Sequence, residues 1–182
     1  MVDPAVVHEK FDRQVEQLCM NRPALRRDRG LIIEEVRFPS LFVIFGLPFK
    51  HLMVATFGVE LNFTDYNLYP PSARFFEPLS RRSLKYEEML PALQKVKNQV
   101  QNVLIDSHPG TKLPFMCLRG FREYHEHPQH TNDPWEQYRH DTMIGTAHYC
   151  LEQIWLRCLK GAQLAFQVQV QVARTEVEVS VE

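Results

Sequence analysis

Apolar residues recur at helical spacing in three segments of the chain. In residues 5–27 they form one stripe, and Pro23 is expected to break or restart the helix before Gly30 ends it. A second helix is predicted from Glu87 to about Ile105, and a third from about 142 to 160. The stripe of the first helix consists of Val7, Phe11, Val15 and Leu18. The third helix is expected to turn inward Met143, Ala147, Cys150, Leu151, Ile154 and Leu159.

Between the first two helices the pattern changes to that of strands. Residues 31–39, 40–45 and 51–63 are rich in β-branched and aromatic side chains and are punctuated by Pro and Gly, which predicts a short antiparallel meander. Residues 64–78 are interpreted as turns, because Pro70-Pro71 cannot lie inside a paired strand.

After the second predicted helix the chain contains short extended runs and a polar loop. Residues 115–118 are predicted to be extended and to lead into a polar loop that reaches Trp135. Residues 164–182 alternate Val with polar residues, which is typical of a strand that adds to the sheet of its own molecule or of a partner. The simplest fold is a single α+β domain over 1–182, with its core at about 31–160 and a strand-like tail at 164–182.

Charge and hydropathy restrict the classes of partner. The net charge is −1, without an obvious basic face along the sequence, so neither nucleic acid nor an anionic membrane is expected as a partner. The longest apolar stretch, 41–49, is too short to span a bilayer and is interrupted by Gly46 and Pro48. The first residues lack the pattern of a signal peptide, so we expect a cytoplasmic protein.

Four cysteines occur without a CxxC pair, which in a reducing compartment predicts free thiols or metal ligands. Cys150 and Cys158 fall in the apolar pattern of the last helix, and Cys19 closes the first helix. All three are therefore interpreted as structural residues. Cys117 is different because a polar, histidine-rich segment follows it.

The segment from Cys117 to His130 predicts a metal site. Thiolate, imidazole and carboxylate are the side chains that zinc prefers. In an extended conformation Glu123, His125 and His127 would project from one face, and the bend at Pro128 would bring His130 back. We therefore predict zinc, or another divalent transition metal, bound by a set drawn from Cys117, Glu123, His125, His127 and His130.

Other interpretations of this segment stay open. The histidines would have no function if the loop were simply solvated. With only three protein ligands, a metal-bound water would suit hydrolysis, with Glu123 as general base. Trp135 and Tyr138 are expected to wall the site, and Asp133 or Asn132 to orient an imidazole.

The run from His108 to Trp135 resembles a bacterial family of predicted metal-binding proteins named for Cys, Glu, His and His. The resemblance extends from about Glu34 to Cys158. It implies metal ligation by Cys117, Glu123 and two of the three histidines at 125, 127 and 130. It also implies a ubiquitin-like protein and its activating enzyme as partners.

A second set of residues is similar to ubiquitin-conjugating enzymes, in which a helix and a meander precede a Tyr-Pro turn, a His-Pro-Asn tripeptide and a catalytic cysteine. Here the matching residues are Tyr69-Pro70-Pro71, His108-Pro109-Gly110 and Met116-Cys117-Leu118. The resemblance implies a fold of that type and makes Cys117 the nucleophile of a thioester-forming enzyme. Gly110 replaces the family's asparagine, and a helix is inserted before His108.

Three hypotheses follow from the sequence, and they leave open whether the protein is an enzyme. The first is a metal-binding accessory component of a bacterial ubiquitin-like modification system. The second is a conjugating enzyme that uses Cys117, and the third is a zinc-dependent hydrolase that uses Glu123.

Overall fold

A four-stranded antiparallel sheet forms the centre of the molecule in a computed structural model, which describes residues 3–49, 51–93, 103–141 and 143–160. The strands follow one another in chain order. The sheet consists of β1 (Leu31–Arg37), β2 (Ser40–Phe49), β3 (Leu52–Asn62) and β4 (Ser72–Phe76). The predicted meander is confirmed for its first three strands. The prediction of turns across residues 64–78 was wrong for β4, which begins directly after Pro71.

Two consecutive helices precede the sheet. The first, α1 (Pro4–Met20), begins at Asp3, whose carboxylate accepts a hydrogen bond from the backbone N–H of Ala5. It buries the predicted stripe of Val7, Phe11, Val15 and Leu18. The second, α2 (Arg22–Arg29), ends at Gly30, which adopts the left-handed conformation at φ 63°.

The middle of the chain departs from the predicted long helix. The helix α3 covers Tyr86–Leu93, while Leu104–Ile105 form a short strand, β5. This strand pairs with β6 (Phe115–Met116), which confirms the predicted extended run. The prediction of helix up to residue 105 was therefore wrong at its end, and residues 94–102 lie outside the described part.

The segment predicted as a polar loop contains helical turns. The four-residue helix α4 covers Arg122–His125, and 3₁₀ turns cover Pro128–His130 and Trp135–Gln137. The last helix, α5 (Ala147–Ile154), continues as a π-helical turn at Trp155–Leu159. It buries the predicted residues except Met143, which precedes the helix and is 65% exposed. The predicted tail at 164–182 lies outside the described residues.

One hydrophobic cluster joins these elements. It contains the buried stripe of α1, the inner side chains of all four strands of the large sheet, and Cys150, Leu151 and Ile154 of α5. The Arg29 guanidinium at the end of α2 binds the Glu152 carboxylate on α5 with N–O distances of 3.0 and 3.2 Å, and it lies over the Trp155 ring. The predicted α+β class is confirmed. Among the described residues, none of the helices has the length and hydrophobicity needed to cross a membrane.

Candidate active site at Cys117

Cys117 follows β6 and is held by its backbone, since its N–H donates to the Val103 carbonyl at 2.6 Å. Its side chain is half-buried, and its sulfur lies 3.3 Å from Nε2 of His130. Burial raises the pKa of the Cys117 thiol above its ordinary value. When Nε2 carries no proton, the neutral thiol donates its S–H to that nitrogen.

His130 ends the 3₁₀ turn that begins at Pro128, and its ring stacks on the Tyr124 ring with centroids 4.0 Å apart. Burial, and then the neighbouring His127, lower the pKa of His130. The neutral imidazole is therefore favoured, and its Nε2 can accept the thiol proton. Such a pair is the arrangement that cysteine nucleophiles use.

Tyr124 is fixed by an acidic residue farther along the chain. Its hydroxyl donates to the Asp133 carboxylate at 2.7 Å, and that carboxylate also accepts hydrogen bonds from Tyr138 at 2.5 Å and from Arg119 at 2.7 Å. Burial would raise the pKa of Asp133, but the hydrogen bonds from Tyr138, Arg119 and Tyr124 outweigh it and hold the pKa well below its usual range. The anionic Asp133 therefore orients the ring on which His130 rests.

His125 uses both ring nitrogens in contacts with the backbone. Its Nε2 accepts the Gly120 N–H at 3.2 Å, so its Nδ1 carries the proton and donates to the Asp133 carbonyl at 2.9 Å. Of Asp133 and Asn132, the two residues proposed to orient an imidazole, Asp133 contacts the His125 ring through its carbonyl oxygen. Trp135 is buried, and its ring lies 5.6 Å from that of His125.

Two further histidines also have an engaged ring nitrogen. Nδ1 of His127 accepts the Gln129 N–H at 3.2 Å. Nδ1 of His108 accepts the N–H groups of Gly110 and Thr111 at 3.2 and 3.4 Å. In both residues the proton of the neutral ring is thus placed on Nε2, which makes that nitrogen a donor instead of a metal ligand.

Glu123 points away from this group. Its carboxyl is 6% exposed and accepts hydrogen bonds from the Ser72 hydroxyl and, at 3.2 Å, from the Ala73 N–H on β4. Burial raises the pKa of Glu123 and outweighs the hydrogen bond from Ser72, which lowers it. The expectation that Glu123, His125 and His127 share one face was wrong, because residues 122–125 are helical and the alternation of a strand does not apply.

The five residues predicted as metal ligands therefore fall into separate places. Cys117 and His130 are in contact, and the His127 ring lies 5.4 Å from that of His130. His125 and Glu123 are engaged elsewhere. Within the described ranges, no group of three or more His, Cys, Asp or Glu side chains is placed to hold a metal ion. Metal binding by this set stays a prediction.

The sequence did not identify Tyr124 as part of the site, and it did not identify the Arg119 side chain either. Both lie in the polar run after Cys117, but a tyrosine or arginine in such a run carries no signal of its own. Their contribution depends on where Asp133 is placed, and the helical turns of α4 and Pro128–His130 determine that position.

These features define an α+β protein that presents a cysteine–histidine pair beside its small sheet. The chain belongs to the Y4jH-like family, whose model matches residues 2–95 and 85–162. It is 32% identical over 192 residues to a Sinorhizobium fredii (strain NBRC 101917 / NGR234) protein described as "Uncharacterized protein y4jH". That alignment covers 94% of this chain and 91% of the relative.

Proposed function

We propose that this protein is a thioester-forming conjugating enzyme for a ubiquitin-like protein, with Cys117 as its nucleophile. The observation that carries the proposal is the 3.3 Å separation between the Cys117 sulfur and Nε2 of His130. In the reaction the thiol proton moves to His130 as sulfur attacks the thioester carbonyl on the activating enzyme. The new C–S bond forms as the old one breaks, and the departing thiolate takes the proton.

The order of elements supports this proposal. The helices α1 and α2 and the four-stranded meander precede the candidate cysteine, with α3 inserted after the meander, and Tyr69-Pro70-Pro71 leads directly into β4. The His108-Pro109-Gly110 turn is closed by hydrogen bonds to its own histidine. Because Gly110 supplies no side-chain amide, the oxyanion of the transfer step must find a donor elsewhere.

A charging assay tests the proposal with a bacterial ubiquitin-like protein, its activating enzyme and ATP. We expect an adduct on the wild-type chain that thiol reductants remove and that Cys117→Ala abolishes. The matched control Cys19→Ala should charge normally, and His130→Gln should charge about 100-fold more slowly or worse, as expected for loss of a positioned base. A reducible adduct that survives Cys117→Ala would refute the assignment, and so would a wild-type chain that never charges.

A second candidate is metal binding at the same pair, within the same kind of modification system. Two ligands of a tetrahedral zinc ion stand about 3.5 Å apart, as follows from Zn–S and Zn–N bonds of about 2.3 and 2.0 Å. The measured 3.3 Å is close to that separation. Against this candidate, Nδ1 of both His127 and His108 accepts backbone N–H groups, which places the proton of each neutral ring on Nε2, so that this nitrogen is not free to bind a metal. A hydrolytic role for Glu123 has no support, because its carboxyl is bound to β4.

Elemental analysis separates the two candidates, because a metal-bound sulfur is unavailable for thioester formation. One zinc ion per purified chain, lost in both Cys117→Ser and His130→Ala, would favour metal binding. A chelator should then also lower the unfolding temperature. Metal-free protein that forms the reducible adduct would favour the transferase.

A further inference from the structure

A groove with a basic rim lies between α2 and the sheet, away from Cys117. Its volume is about 760 Å³. The rim carries Arg22, Arg26 and Arg27 of α2, and the floor is built from apolar residues that include Ile33 and Met53. Of the described residues that line it, none is acidic. We call this cavity the α2 groove.

The charges on the rim are available to a ligand. Arg22 and Arg26 are exposed, and among the described residues neither takes part in an ion pair. Arg27 is paired with Asp28 at 2.8 Å. At the other side of the groove Leu52 leaves 70% of its surface exposed. The α2 groove therefore suits a segment that alternates apolar and anionic side chains.

The chain itself contains such a segment. Residues 174–182, RTEVEVSVE, carry Glu176, Glu178 and Glu182, with three valines at the positions between them. We call these residues the acidic segment. We propose that the acidic segment docks in the α2 groove of its own chain, with its glutamates at Arg22 and Arg26 and its valines on the apolar floor.

Chain geometry permits this docking. The described part ends at Lys160, whose ammonium lies 6.0 Å from the centre of the Trp155 ring. The same ring faces Arg29, the last residue of α2. From Lys160 to Arg174 the chain has 14 residues, which extend to about 46 Å. An eight-residue helix such as α2 is only about 12 Å long.

Hydrogen–deuterium exchange of the full chain tests the proposal, with exchange read from peptides that cover 174–182. We expect slowed exchange in the wild type and roughly tenfold faster exchange in Arg22→Glu/Arg26→Glu, the size expected for losing two ion pairs and gaining repulsion. Adding Glu176→Arg/Glu178→Arg to that variant should restore protection. The matched control Arg13→Glu/Arg37→Glu changes net charge equally outside the groove and should leave the exchange unchanged.

A separate variant distinguishes release of the acidic segment from misfolding of the α2 groove. Glu176→Gln/Glu178→Gln/Glu182→Gln leaves α2 and the sheet untouched and should also release the acidic segment. Wild-type exchange at the rate of an unprotected peptide would overturn the proposal, as would protection that ignores the Arg22 and Arg26 reversals. Protection that increases with protein concentration, together with a dimer in size-exclusion chromatography, would place the segment on a second copy and also overturn it.

Discussion

At the scale of residues, the four thiols differ in burial and therefore in reactivity. Cys150 and Cys158 are fully buried, and burial raises the pKa of both, that of Cys158 to about 12. On the order of 10⁻⁴ of Cys158 is thiolate at pH 8, and only thiolate is alkylated. We predict that iodoacetamide modifies the half-buried Cys19 and Cys117 in the native protein and spares the other two, as read from intact mass.

The matched control is Cys117→Ser, which should lose one native label, while denatured wild-type protein should take up four. Rapid modification of Cys158 in the folded chain would mean that the turn at Trp155–Leu159 does not hold this side chain in the hydrophobic cluster.

Asp133 should matter for stability because three side chains donate hydrogen bonds to its carboxylate. Asp133→Asn removes the negative charge and replaces one of the two acceptor oxygens by an NH2 group. We expect a loss of about 1–3 kcal/mol in the free energy of unfolding at pH 7. Because the folded-state pKa lies below the unfolded value, the wild-type contribution is complete above about pH 4 and declines as pH falls further.

Urea unfolding at pH 7 and pH 3 measures this effect. The difference between wild type and Asp133→Asn should be smaller at pH 3 than at pH 7. Glu136→Gln, an exposed neighbour, provides the control. Equal differences at both pH values would contradict the role assigned to the Asp133 charge.

Residue chemistry predicted part of the site. Cys117 and His130 both belonged to the predicted ligand set because thiol and imidazole bind transition metals, but nothing in the sequence distinguished His130 from the other two histidines of that set. The proposed companions Glu123 and His125 could not be placed correctly, because their directions depend on backbone geometry. The backbone carbonyls of Pro71 and Pro70 accept hydrogen bonds from the Arg122 backbone N–H and side chain, and these long-range contacts hold α4 against the chain before β4.

At the scale of elements, Gly30 controls the passage from α2 into β1. Its φ of 63° belongs to the left-handed region, and a Cβ there would lie 2.1 Å from the Gly46 carbonyl oxygen. We predict that Gly30→Ala destabilises the fold by more than about 1–2 kcal/mol, the cost of a left-handed side-chain residue alone.

Gly110→Ala is the matched control for that change. Among the described residues its Cβ would meet the His108 ring alone, at an ordinary 3.4 Å, so the free energy of unfolding of this variant should stay within about 0.5 kcal/mol of wild type. Thermal unfolding of both variants gives the comparison. A Gly30→Ala protein as stable as Gly110→Ala would show that the α2–β1 junction tolerates a side chain.

The sequence pattern predicted the long elements correctly. The apolar stripe of α1 and the β-branched runs of β1, β2 and β3 were sufficient to assign a helix and three strands, because these segments are long. Short elements were missed where tertiary pairing decides, such as β4 with its five residues after Pro71, and β5 with two residues that pair with β6.

At the scale of the molecule, the single core links the first helix to the sheet. Phe11 is 1% exposed, and its ring meets those of Phe38 and Phe63 edge to face. We predict that Phe11→Ala lowers the free energy of unfolding by about 3–5 kcal/mol, typical of a large cavity. Val6→Ala, on the exposed side of α1, should change it little.

In Phe11→Ala the unfolding transitions seen by circular dichroism and by tryptophan fluorescence should shift together. Trp135 and Trp155 lie far from α1 in the sequence, so they report on the effect of the Phe11 cavity only if the molecule unfolds as one unit. Separate transitions for the two signals would show that the N-terminal helix unfolds independently of the rest.

The carboxyl of Glu123 also has a consequence for the protein in crowded solution. As the last strand of its sheet, β4 would offer its outward N–H and C=O groups to any extended chain, which is how unrelated molecules join edge to edge and aggregate. Glu123 takes up the outward N–H of Ala73, and the Arg122 N–H takes up the Pro71 carbonyl just before the strand. Farther along the strand Ser83 bridges to Phe76 and the Leu84 N–H donates to the Phe75 carbonyl, so that α4 and residues 83–84 together leave little of this edge open to another strand.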